Sequence, residues 1–179
     1  MSEFNQAFES VLAHEGGFVN HKADKGGATA FGISLRFLRS LPVAAGDING
    51  DGHVDINDIL AVTPEDARAF YKRYFWDHYR LGEIQNQQVA TKLFNFFVNM
   101  RGTTAALVAQ RAANDLGAYL STDGVMGSLS IKALNGMEPS QLLVCIKWRA
   151  WEVYRAIVDD DPEQAVFMPG WRNRAFSDV

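Results

Sequence analysis

Cysteine is almost missing from this chain, with Cys145 alone among 179 residues. That excludes an internal disulfide and any multi-cysteine zinc site, and it fits a reducing compartment. Flanked by Val144 and Ile146, the thiol reads as a small core residue. Long apolar runs are missing as well, and none approaches the roughly 20 residues a membrane span needs. The opening MSEFNQAFES has neither a basic n-region nor an apolar h-region, so no Sec-type signal is expected and the chain should begin in a cytoplasm. Excess positive charge is the third absence. The formal charge is −4, and without a basic stripe a nucleic-acid partner is not expected. No internal repeat or low-complexity linker is visible, and the length suits one compact body, expected to be monomeric.

What is present is mostly helical periodicity. Phe4, Phe8, Val11 and Leu12 recur at helical spacing and predict an amphipathic helix over 3–14, stopped by Gly16 and Gly17. From Phe18 to Ile33 the periodicity is lost, and Gly26, Gly27, Thr29 and Phe31 predict a small β-hairpin. Ser34 can cap a short helix ending before Pro42, and Thr63-Pro64-Glu65-Asp66 starts a helix towards Trp76. Residues 77–88 read as a connection, and 89–100 as a central buried helix, apolar nearly all round. Further helices follow from Thr103 or Thr104 towards Leu116, over 129–135, and from Pro139 to about Val158. Trp148, Trp151 and Trp171 read as packing residues. These elements predict a mainly α protein with one small N-terminal β element and a helical C-terminal lobe. The expected boundary gives lobes 1–100 and 101–179, packed as one body, with Val89 to Met100 able to belong to either.

Four carboxylates, Asp47, Asp51, Asp55 and Asp58, fall within a dozen residues, and without them the formal charge would be zero. Counting Asp47 as position 1, oxygen-bearing side chains stand at positions 1, 3, 5, 9 and 12, as Asp47, Asn49, Asp51, Asp55 and Asp58. Gly52 holds position 6 and apolar Val54 position 8. Calcium takes six to eight oxygen ligands, and an EF-hand loop supplies them at this spacing, with the His53 backbone carbonyl at position 7. Asp58 replaces the usual Glu at position 12, which shortens its reach. Pro42 and Gly46 leave little room for an entering helix, so the pattern resembles the loop-plus-exit-helix form of dockerin-type modules. One structural calcium ion is expected, bracing the connection to the helix at Pro64.

Glu15 ends the first helix, where the dipole disfavours an ionised carboxylate, and apolar Phe18 or Phe31 nearby would raise its pKa further. Asp24 follows in a polar, glycine-rich turn that keeps a carboxylate charged, and Thr29 can hold a hydrogen bond or a water. Two carboxylates with environments pushed apart suit glycosidic bond hydrolysis, inverting if Asp24 binds the attacking water and retaining if it attacks directly. A capping Glu and an Asx-turn Asp would give the same letters. Asn99 could face a sugar cleft or be a satisfied core Asn, and Phe31 and Tyr71 could stack on sugar rings or pack in the core. His14, His21 and His78 show no metal-ligand spacing.

The run EGGFVNHKADKGGATAFGIS closely resembles the signature of the muramidases of glycoside hydrolase family 108, phage endolysins and related bacterial proteins that cut peptidoglycan. Agreement covers Glu15-Gly16-Gly17, Asp24, Gly26-Gly27, Thr29 and Gly32-Ile33, and extends to ARAFYKRYFWDHY and VNMRG. Ala109-Gln110, Asp123-Gly124-Val125-Met126-Gly127 and Gly170-Trp171-Asn173-Arg174 are similar to the peptidoglycan-binding-like region that usually follows. Ser128 replaces the proline often found after the DGxxG turn, and the calcium loop looks like an insertion. The order Glu, Asp, Thr also resembles the triad of T-even phage lysozymes, with one residue fewer between Asp and Thr.

The resemblance implies a lysozyme-like (α+β) fold and an N-acetylmuramidase that cuts the β-1,4 bond between N-acetylmuramic acid and N-acetylglucosamine. Glu15 would be the catalytic acid, with Asp24 and Thr29 assisting. It also implies an endolysin made in the host bacterial cytoplasm and released to the wall through a partner pore, its partner being peptidoglycan. A lytic transglycosylase and an inactive calcium-dependent wall-binding module are the alternatives.

Overall fold

The computed structural model describes residues 2–12 and 29–178. Two compact units emerge, one of Phe8–Arg73 and one of Met1–Ala7 with Tyr74–Val179. The unit boundaries lie at Ala7/Phe8 and Arg73/Tyr74, away from residue 100. The reason is visible in α6 (Gln87–Asn99), the segment the sequence left open. It is buried along most of its length and packs on α7 (Gly102–Asp115) and α9 (Pro139–Asp160), so it forms the centre of the helical unit.

The smaller unit carries the hairpin and the acidic loop. Helix α1 (Phe4–Leu12) sends Phe8 and Val11 into a core with Ile33, Leu38, Ile59 and Phe70. Strands β1 (Thr29–Ala30) and β2 (Ile33–Ser34) pair antiparallel, Thr29 with Ser34 and Ala30 with Ile33. Ser34 then caps α2 (Leu35–Ser40), accepting from the Phe37 N–H at 3.2 Å, which is the local bond its hydroxyl was expected to make. A single turn, α3 (Val43–Gly46), enters the acidic loop and α4 (Ile56–Ala61) leaves it. Thr63 caps α5 (Pro64–Tyr71) in a reciprocal box with Asp66, and Pro64 occupies the first turn where its missing N–H costs nothing. The helix continues to Asp77 as a π-helical stretch over Lys72–Asp77.

In the helical unit, Phe4, Trp76 and Phe94 pack edge to face, with centroids 5.6–6.0 Å apart. A 3₁₀ turn (Leu81–Glu83) leads into α6, which Asn86 caps. Gly102 opens α7 because the Tyr79 hydroxyl occupies the space a Cβ would need, while the Tyr79 ring stacks on Phe97 at 4.1 Å. That contact accounts for the glycine of VNMRG. Helix α7 ends at Gly117, whose φ of 89° is the left-handed conformation glycine adopts freely. Helix α8 (Ser128–Asn135) and the long α9 follow as expected.

Two elements beyond Pro162 escape the periodicity argument, a 3₁₀ stretch (Pro162–Phe167) and α10 (Met168–Phe176). Pro169 sits in the first turn of α10, where proline is tolerated. Trp171 stacks on Tyr154 with centroids 5.2 Å apart. The end of α10 is held by Lys92, which is 0% exposed and donates to the Arg174 and Ser177 carbonyls at 2.7 and 2.8 Å. Burial, then the nearby Lys147, lowers its pKa to about 8, against a smaller opposing pull from Asp178.

The folded state therefore binds this proton less tightly than the unfolded chain, in which lysine titrates near 10.4. Stability linked to Lys92 is fully present above the unfolded pKa and is lost as pH falls through about 8. Melting of the wild type and of Lys92→Met across pH 7–10 checks this. The wild type should gain relative to the variant as pH rises, and parallel curves would refute the linkage.

Candidate functional site

Thr29 opens β1 half-exposed, and the hairpin turn is made by Phe31 and Gly32, with φ of 49° and 77°. Positive φ at both central residues suits a two-residue hairpin, but it is strained for an aromatic. The Tyr71 hydroxyl donates to the Phe31 carbonyl at 3.1 Å, and Ala30 and Ile33 anchor the strands in the core. This holds Phe31 half-exposed at the tip. Tyr71 itself is 1% exposed, with its ring against Phe8, so it supports the turn from beneath and offers no ring face for stacking. Asn99 is exposed at the end of α6, its Oδ1 accepting from the Tyr154 hydroxyl at 2.7 Å, so it is not a core residue. Glu15 and Asp24, with His14 and His21, lie outside the described residues.

The acidic loop wraps backbone N–H groups around its own carboxylates. Asp47 Oδ1 accepts from Gly50 and Asp51 at 2.8 and 3.1 Å, and its Oδ2 accepts from Gly52 at 2.8 Å. Asn49 Oδ1 accepts from the Asp51 N–H at 3.0 Å while its Nδ2 donates to Asp51 Oδ2, and Asp51 Oδ1 accepts from His53 at 2.9 Å. Gly50 and Gly52 supply the left-handed turns, at φ 79° and 88°. Asp55 caps α4 and Asp58 completes a capping box. Asp58 Oδ2 accepts from the Asp55 N–H at 2.7 Å, and Oδ1 accepts from Ile48 and Asn49 at 2.7 and 3.2 Å. Burial pushes the Asp58 carboxyl up, but the N–H donors of Asp55, Asn49 and Ile48 outweigh it and hold the group below the ordinary aspartate value.

The donor chemistry of this loop, all carboxylate, amide and carbonyl oxygen, fits a hard cation. No described Lys or Arg forms an ion pair with its acids. Asp58, already short in reach for position 12, has Oδ1 filled by two N–H donors, which leaves only Oδ2 with spare capacity. Among the described residues no three His, Cys, Asp or Glu side chains stand close enough to hold a metal by themselves, so Asn49 and backbone oxygens would have to complete any set.

Gln110 stands out in the sequence only as a residue shared with the peptidoglycan-binding-like region. Buried in α7, it donates from Nε2 to Asp123 Oδ1 and the Val125 carbonyl at 2.7 and 3.0 Å, and its Oε1 accepts from the Gly124 N–H at 3.0 Å. Gly124 has φ 73° with its α-carbon face against the Thr103 carbonyl. The Asp-Gly-Val turn is thus locked to α7, and Ser128, in the usual place of proline, begins α8 and accepts from Arg80 Nη1 at 3.0 Å. In the sequence this lock shows only as the shared Ala109-Gln110 and Asp123-Gly124 letters, because the burial of Gln110 is a property of the fold.

A glycosyl hydrolase 108 family model matches residues 8–100, and a model described as a predicted peptidoglycan domain matches residues 104–176. Among solved structures, the chain is similar to that of Brucella abortus SagA, at 21% identity over 96% of this chain and 88% of that one, with a TM-score of 0.73. That likeness bears on the fold, which is mainly α and lysozyme-like. No curated protein matches the chain. With the first family model spanning half the chain and the peptidoglycan domain behind it, the protein belongs to the glycosyl hydrolase 108 family and is a glycoside hydrolase acting on peptidoglycan.

Proposed function

We propose that the protein is an N-acetylmuramidase hydrolysing the β-1,4 bond between N-acetylmuramic acid and N-acetylglucosamine. The observation that carries this reading is the run from Glu15 to Thr29, which falls within the matched hydrolase region. In it Glu15 protonates the leaving glycosidic oxygen. Asp24 steadies the cation-like transition state or positions water, and Thr29 orders that water. Phe31 at the hairpin tip and exposed Asn99 are the proposed sugar contacts. The role is that of an endolysin, made in the host cytoplasm and reaching the wall through a partner pore.

Hydrolysis takes up water and leaves a reducing muramic acid end, whereas a lytic transglycosylase closes the muramic 6-hydroxyl onto C1 and leaves an anhydro end. Mass spectrometry of digested, purified peptidoglycan separates them. Reducing N-acetylmuramic ends are expected; reducing N-acetylglucosamine ends or anhydromuramic ends would overturn the assignment.

The acidic loop is proposed to hold one structural calcium ion through Asp47, Asn49, Asp51, the His53 carbonyl, Asp55 and the remaining capacity of Asp58. An ion bound only by the folded state stabilises it by about 2.7 kcal/mol when present at a hundred times its Kd. Melting with calcium should therefore exceed melting with EGTA by several degrees, and identical curves would remove calcium from this reading.

A further inference from the structure

A cavity of about 670 Å³ opens between the loop after α7 and helix α8, well within the size of sites that take small ligands. Tyr119, Val125, Leu129 and Met137 give it apolar walls, and Asp123 and Lys132 set one charge of each sign in its lining. Tyr119 is 94% exposed and Leu129 76%, so the ring and the isobutyl group both stand open to a ligand. Tyr119 also holds a φ of 55°, a strained conformation for an aromatic.

The scaffold imposes that strain from both sides. Asn114 grips Leu120 twice, Oδ1 accepting from its N–H at 2.6 Å and Nδ2 donating to its carbonyl at 2.9 Å, and the Ala118 N–H reaches back to the Ala113 carbonyl. On the opposite wall the Gln110 lock fixes Asp123 and Val125. Asp123 uses only Oδ1 for this, so Oδ2 takes no described donor, and Lys132 forms no ion pair among the described residues. The cavity is therefore built from rigid parts, with one anion and one cation left unspent.

We propose that this cavity binds the stem peptide of peptidoglycan, an inference that rests on the peptidoglycan-hydrolase reading and names the part of the polymer the C-terminal region takes. A neutral glycan calls for several planar polar side chains and aromatic platforms; the lining offers one aromatic, Tyr119, its one side-chain amide, Gln110, is already bonded to Asp123, Gly124 and Val125, and its other uncharged polar side chains are serines. A stem peptide carries alanyl methyls that fit apolar walls. Its free carboxylates match Lys132, and the side-chain amine of its diamino acid matches Asp123. Covering Tyr119 and Leu129 removes their apolar surface from water, which supplies the non-directional part of the affinity.

The test is an NMR titration of the full-length Glu15→Gln chain with free L-alanyl-γ-D-glutamyl-X-D-alanine, where X is meso-diaminopimelate in one probe and L-lysine in the other. A tetramer of N-acetylglucosamine is the glycan arm. Either peptide should shift the amides of Tyr119, Val125, Leu129 and Lys132, and Leu129→Asp or Lys132→Glu should raise its Kd at least tenfold with the rest of the spectrum unchanged. Both residues are exposed, and the second variant stands if the first does not fold. The proposal is overturned if neither peptide binds, if the sugar tetramer gives the same shifts, or if both variants bind like the parent. Wall digestion by the wild-type chain is read separately. Digestion without peptide binding overturns this inference alone, and peptide binding without digestion supports it while overturning the catalytic reading.

Discussion

The Glu15→Gln chain is expected to lose wall hydrolysis by roughly 10²–10⁴-fold, the contribution a positioned general acid makes. Gln has the shape of protonated Glu and can still donate a hydrogen bond, but its amide cannot deliver a proton to a departing sugar oxygen. Without that proton the leaving group departs as an alkoxide, and the barrier rises by about 1.4 kcal/mol for every tenfold loss. The variant should melt with the wild type, because Gln keeps the shape and volume of Glu. It should also retain sedimentation with insoluble peptidoglycan, which separates loss of chemistry from loss of binding. Release of soluble fragments from purified wall at near wild-type rate would remove Glu15 from the acid role. Asp24→Asn then distinguishes partners, since a carboxylate that stabilises charge or holds water leaves partial activity when replaced, whereas one that attacks directly does not.

Helices were legible where side chains decide them locally. Ser34, Thr63 and Gly117 each announced an end that the structure confirms, because a cap is an interaction between near neighbours. The single entering turn α3 and the exit helix α4 followed from the loop pattern for the same reason. Lys92 could not be foreseen, since its partners are carbonyls 82 and 85 residues away and nothing in VATKLFNFFVNM distinguishes a buried lysine from a solvated one. Tyr71 is ambiguous at sequence level because an aromatic at helical spacing can face core or substrate, and its burial against Phe8 decides. Helix α10 was missed because Pro169 and Gly170 weaken its propensity while packing of Trp171 on Tyr154 overrides it. The roles proposed for Glu15 and Asp24 rest entirely on residue type, spacing and family signature.

Asp58→Ala is expected to cost the smaller unit about 3–5 kcal/mol of stability. Three backbone N–H groups, from Ile48, Asn49 and Asp55, lose one buried ionised acceptor together. Hydrogen bonds to a charged group are worth about 1.5–3 kcal/mol each, and water entering the loop recovers part of the loss. For a chain of this length that corresponds to roughly 10 °C in melting temperature. Asp58→Asn should cost less, because one oxygen can still serve Ile48 and Asn49 while the amide nitrogen meets the Asp55 N–H donor against donor. The pH dependence follows from the depressed pKa. A carboxylate held below its unfolded value of about 3.9 contributes stability that is fully present above that value and is lost as pH falls through the folded one. The gap between wild type and Asp58→Asn should stay constant from pH 7 to 5 and close in stronger acid. Both variants should remain destabilised in EGTA, since these three bonds join protein to protein and need no ion. Asp47→Ala should instead lose most of the response to calcium. An Asp58→Ala chain that melts with the wild type in EGTA would mean that α4 is fastened to the loop by the ion alone, and the hydrogen-bonded latch would have to be abandoned.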